Sequence, residues 1–146
     1  MEQENKYYTP YLSDFYDGYI LEYKNDMQTN KWEHQIFDSD MSGIIYSTWE
    51  HESGKYFRDH IRTKYLDQSD IESCGWIKDW DENSSYSDCY KLITKSDISG
   101  QSDDEWVLWQ YDKIVSIDNE LSNRCFEGEC KSINELRKIM NWLKIK

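Results

Sequence analysis

The chain contains no alanine and only two valines, Val107 and Val115. That omission constrains the fold more than any motif does. With the usual small fillers missing, the interior must be built from Trp, Tyr, Phe, Ile and Leu. Aromatic residues make up 16% of the sequence, so rings are the main core material. At 146 residues the expectation is a single domain, 1–146. A chain of this length buries roughly two-thirds of its unfolded surface and needs no disulfide or metal to fold.

The rings begin early. The stretch YYTPYLSDFYDGYILEY, residues 7–23, holds seven of them beside three carboxylates and the only proline. Thr9-Pro10 predicts an N-cap followed by proline at the first helical position, with Gly18 closing a short helix. Alternation then predicts strands at Tyr19–Tyr23 and Trp32–Phe37, joined by a polar loop. Gly43–Trp49 and Arg62–Leu66 read as further strands. Asp67 caps a short helix that Gly75 ends. Tyr90–Thr94, Trp106–Tyr111 and Ile114–Ile117 read as three more strands. Arg124–Lys131 reads as a tight hairpin around Glu127-Gly128.

The clearest element is the last. Ser132-Ile133-Asn134-Glu135 matches the S-x-x-E capping box. Ile133, Leu136, Ile139, Met140 and Leu143 then share one helical stripe. The expected fold class is therefore α+β. An antiparallel sheet of about five to seven strands would carry a short N-terminal helix and a C-terminal amphipathic helix packed on one face.

Charge narrows the function classes. Lys and Arg number 17 against 29 Asp and Glu, a net charge of −12. The imbalance is uneven. Residues 67–120 hold fourteen acids and four bases, whereas residues 131–146 hold five bases and one acid. Such a surface repels nucleic acid and anionic membrane and is drawn to a basic one. No apolar run is long enough to span a membrane. The start, MEQENKYY, lacks the basic and apolar regions of a signal peptide, so a cytosolic location is expected, with reduced cysteines.

Catalytic and metal signatures are incomplete. Asp38-Ser39-Asp40 and Asp79-Trp80-Asp81 open like EF-hand loops, but Trp49 and Tyr90 stand where the bidentate Glu belongs. Both fit Asx-type turns better. Cys74 and Cys89, and Cys125 and Cys130, lack C-x-x-C spacing. In the expected hairpin Cys125 would face Cys130 across a non-hydrogen-bonded pair, and two reduced thiols are the simpler reading in a cytosol. His34, His51 and His60 adjoin no nucleophile motif. No enzyme, no metal and no cofactor are expected.

What stands out is a polar stretch carrying rings. Trp76, Trp80 and Tyr86 lie among Asp79, Asp81, Glu82 and Asp88. Trp and Tyr exposed in such a segment are hot-spot residue types, and the carboxylates suit a basic partner. The competing reading folds the same rings back as a lid on the sheet. These seven residues form the expected partner-binding set.

Three stretches carry a resemblance: Tyr7-Tyr8-Thr9-Pro10 with Phe15, Gly18 and Glu22; Arg62 to Ser73 with Gly75; and Phe126 and Gly128 running into Lys131-Ser132 and Glu135-Leu136. In these the chain resembles a group of small proteins without established activity, common in Bacteroidetes and their phages. Cys74, where an aliphatic residue would fit the pattern, and the heavier Trp-rich acidic middle depart from it. The resemblance implies a phage or mobile-element setting, where small acidic proteins inhibit host defence. The expectation is a non-enzymatic, anti-CRISPR-like inhibitor that binds a host protein with a basic nucleic-acid-binding surface, such as a Cas nuclease, and no nucleic acid directly. An accessory interaction module and a small metal-dependent hydrolase are the alternatives.

Overall fold

A computed structural model of the protein describes residues 6–24, 30–50, 54–80, 87–95, 100 and 103–145. Its class is α+β, as the sequence implies. The strands form two antiparallel sheets, of four and five strands, where one sheet was expected. The chain divides into two compact units, residues 1–65 and 66–146. Alternation reports which side chains turn inward, not which core they join.

In the first unit the strands are β1 (Tyr7–Tyr8), β2 (Ile20–Lys24), β3 (Trp32–Ile36) and β4 (Ile61–Lys64), in the order β1-β4-β2-β3. The expected N-terminal helix shrinks to a 3₁₀ turn, Leu12–Asp14, after Pro10. The Asp14 carboxylate accepts from the Tyr11 N–H at 2.8 Å and holds that turn. Gly18 follows with φ +96°, a conformation costly for other residues. The core is aromatic, as the missing alanine demands. The Phe15 ring meets Tyr19 at 5.0 Å, Phe37 at 5.3 Å and Phe57 at 6.1 Å. The Tyr19 hydroxyl is satisfied inside by Thr63 Oγ1 at 2.9 Å.

Two helices, α1 (Ser42–Glu50) and α2 (Lys55–His60), complete this unit. The strand expected at Gly43–Trp49 is thus a helix. Asp38 accepts from the Met41 N–H at 3.1 Å and starts a 3₁₀ turn that runs into α1. Ile45 is buried, and Trp49, one helical turn later, packs edge-on against Phe57 at 5.1 Å. The burial of Ile45 and the contact of Trp49 with Phe57 outweigh the strand propensity of Ile44-Ile45-Tyr46.

The second unit opens with α3 (Gln68–Ser73), capped as expected: Asp67 accepts from the Asp70 N–H at 3.0 Å, and Gly75 closes it at φ +97°. A meander follows: β5 (Ile77–Lys78), β6 (Asp88–Thr94), β7 (Asp104–Tyr111), β8 (Ile114–Asn119) and β9 (Arg124–Glu129). The hairpin expected at Glu127-Gly128 does not form, because β9 runs straight through it alongside β8. The turn lies earlier, where Asn119 Oδ1 accepts from the Leu121 and Asn123 N–H groups, each at 3.0 Å. Gly128 lies against the Phe126 ring, and a β-carbon there would approach it to 3.2 Å. Cys125 and Cys130 consequently sit on one strand and at its end, not opposite one another. All four cysteines are free thiols.

Helix α4 (Ile133–Trp142) packs its stripe on one face of this sheet, as its pattern predicts. Leu136, Ile139 and Met140 join Tyr90, Leu108, Val115 and Ile117 in one core, together with Ile71 of α3 and Trp76. The capping box is not reproduced at Ser132. Glu135 reaches back to the Lys131 N–H, whereas the Ser132 hydroxyl is buried without a partner.

Candidate functional site

The five-stranded sheet has a second face. On β6, β7 and β8, Tyr90, Leu92, Trp106, Leu108, Val115 and Ile117 turn toward α4. Period-2 alternation sends the residues between them to the opposite side. Strand register arranges these in rows. One row runs Ile77, Lys91, Val107 and Asp118, and the next runs Cys89, Trp109, Ser116 and Glu127. A third holds Tyr111, Ile114 and Glu129.

This face does not have the polar surface usual for a one-sided antiparallel sheet. Ile77, Ile93, Tyr111 and Ile114 are 74%, 63%, 58% and 40% exposed. Val107 and Trp109 beside them are half-buried. Ile77, Ile93 and the Tyr111–Ile114 pair stand in separate rows of that face, with half-buried Val107 and Trp109 between them, and leave large apolar side chains in water along one side of the sheet.

Carboxylates outnumber cations around that patch. Asp79, Glu105, Asp118, Glu127 and Glu129 share the face with Lys91 and Arg124. Lys91 Nζ lies 2.9 Å from Asp79 and 3.9 Å from Glu105. Arg124 lies 2.9 Å from Asp118 and 3.4 Å from Glu127. Lys131 lies 3.0 Å from Glu129, so all three cations are engaged, and five carboxylates against three cations leave the face excess negative charge. Between the strands opens a pocket of about 280 Å³, lined by Lys91, Glu105, Val107, Trp109, Asp118 and Glu120 among others.

The residues expected at the partner surface are dispersed. Trp76 is corrected outright: it is 1% exposed, and its indole N–H points at Met140 Sδ at 3.3 Å. It follows the chain-reversing Gly75, which turns the ring inward under α4. Asp79 does reach the apolar face, through Lys91. Trp80 is 72% exposed and lies at the β5 edge, with Lys78 Nζ 4.3 Å from its ring centre. Asp88 pairs with the same Lys78 at 3.6 Å. Asp81, Glu82 and Tyr86 lie outside the described residues.

The residues missed were Ile77, Ile93, Glu105, Trp109, Tyr111 and Ile114. A signal for them existed. β6 to β8 carry apolar residues at both parities, and only one parity can face α4.

Two further groups bear on stability more than on the site. The Tyr90 hydroxyl is buried without a hydrogen-bond partner. Burial, reinforced by the nearby carboxylates of Asp88, Glu72 and Asp67, pushes its pKa up to about 12. Burial also raises the Cys130 thiol well above its ordinary value, with Glu135 and Cys74 adding to the effect. Among the described residues no three His, Cys, Asp or Glu side chains converge to hold a metal ion. Among them, too, no helix is long and apolar enough to cross a membrane. No family model, no curated protein and no solved structure matches the chain.

Proposed function

We propose that the chain is a non-enzymatic binding protein that docks the outer face of its five-stranded sheet on a basic, nucleic-acid-binding surface of a partner protein. The partner is a host defence complex, a CRISPR effector first among them, and docking inhibits it. The observation that supports this reading is the exposure of Ile77, Ile93, Tyr111 and Ile114 amid an excess of carboxylates. Carboxylates at such a surface take the place of phosphates in a basic groove and set the rate and direction of approach. The apolar side chains hold the complex once formed. The net charge of −12 works against binding nucleic acid itself. The likeness of three sequence stretches to phage-borne proteins supports the choice of target.

The reading is tested by titrating the purified protein into effector–guide complexes of several CRISPR classes and following target-DNA binding by fluorescence anisotropy. DNA is expected to be displaced from at least one class, with potency falling as salt rises because exposed charges are screened within about 10 Å at 0.1 M. Undisturbed DNA binding across the whole panel contradicts the inhibitory reading.

A further inference from the structure

The pocket on the outer sheet face allows the partner's chemistry to be narrowed. Resting on the proposed docking of that face, we infer that the pocket walled by Trp109 and flanked by Glu105, Asp118 and Glu120 receives an arginine side chain of the partner. Charge selects a cation. Glu105, Asp118 and Glu120 line the pocket; Lys91 lies 2.9 Å from Asp79 and 3.9 Å from Glu105, and Arg124 lies 2.9 Å from Asp118, so with both cations counted the carboxylates still outnumber them. Size selects a single side chain. About 280 Å³ falls just under the usual range for pockets that take a drug-sized ligand.

Shape and wall chemistry select arginine over lysine. Trp109 lines the pocket together with the carboxylates, and a guanidinium, planar and weakly hydrated, stacks on an indole and pairs with a carboxylate at once. A lysine ammonium is compact and strongly hydrated and gains less there. Two guanidinium groups within the chain show parts of this chemistry, Arg124 the pairing alone and Arg62 the pairing with stacking. At the pocket's margin Arg124 Nε already lies 2.9 Å from Asp118 Oδ1. In the first unit the Arg62 guanidinium lies 3.6 Å from the Tyr7 ring centre and 4.0 Å from that of Trp32, and its Nη2 lies 3.1 Å from Glu22. At Arg62, two rings and a carboxylate hold one guanidinium.

The test uses the full chain and two fluorescein-labelled peptides of equal length and charge, one with arginines and one with lysines at the same positions in a glycine background. At low salt both bind, and the arginine peptide binds about five-fold more tightly, the effect of one exposed stacking contact. Trp109→Phe keeps the preference and Trp109→Leu abolishes it. Glu105→Gln with Glu120→Gln weakens both peptides alike. In the wild-type protein the Trp109 indole N–H resonance shifts with the arginine peptide and not with the lysine one, a readout that stands if the leucine variant fails to fold. Equal affinity for the two peptides, or a preference that survives Trp109→Leu, overturns the pocket assignment and leaves the docking face intact. Failure of both peptides to bind at low salt overturns the assignment and the docking reading together.

Discussion

Tyr90 and Ser132 both carry hydroxyls that the interior leaves unpaired. An unsatisfied buried polar group costs on the order of 1–3 kcal/mol. Removing it is therefore expected to be neutral or stabilising, whereas a true N-cap serine would cost about 1 kcal/mol on replacement by alanine. Ser132→Ala should match or exceed the wild type in thermal unfolding, and a clear loss would mean that the hydroxyl caps α4 after all. Tyr90 adds a pH dependence whose sign is fixed. An unfolded tyrosine loses its proton near pH 10, and the folded one near 12. Between these values the folded state holds a proton that the unfolded state has released, so stability falls as pH rises through the window. Urea unfolding should show Tyr90→Phe at least as stable as the wild type at neutral pH. Its advantage should widen above about pH 10. A constant difference across that range would contradict the buried, unpaired phenol.

Among the elements, those with a local signature were legible in the sequence. α3 and α4 announce themselves by Asp67, Gly75 and the stripe through Leu136 and Ile139. The strands β2, β3, β4, β6, β7 and β8 follow from alternation to within a few residues. α1 was missed because Ile44-Ile45-Tyr46 carries strand propensity, and only the contact of Trp49 with Phe57 reveals the helix. β9 was misread because Glu127-Gly128 has turn chemistry, yet its glycine serves to seat the Phe126 ring. The four-stranded sheet is assembled by long-range pairings, Tyr7 with Lys64 and Glu22 with Arg62, for which there is no local cue. The candidate site was legible in charge and in kind but not in place. Trp76 looked exposed because its neighbours are polar, and nothing local to Trp109 says which face of its strand it takes. The packing of α4 has a direct check. Leu136 is fully buried against the sheet, so Leu136→Asp should destabilise by about 4 kcal/mol or more. A melting temperature unchanged from the wild type would remove α4 from the core.

For the molecule as a whole, the charge and the missing alanine belong to one account. Rings fill the interior where small residues are absent, and four of the large apolar side chains left exposed, Ile77, Ile93, Tyr111 and Ile114, stand on one sheet face among acids. Acidity spread over the surface would serve solubility alone, whereas acidity around an apolar patch gives a direction of docking. The central claim is that this face, and no other exposed apolar position, holds the partner. The most direct measurement compares two double variants of equal added charge for affinity toward an inhibited effector. Ile93→Asp with Tyr111→Asp alters the outer face of the five-stranded sheet, and Ile36→Asp with Tyr46→Asp alters equally exposed positions in the first unit. The first pair should lose about 2 kcal/mol or more of binding energy per hot-spot residue, chiefly through faster dissociation, while the second binds as the wild type does. Equal losses in both pairs, or a loss confined to the second, would contradict the assignment of the face.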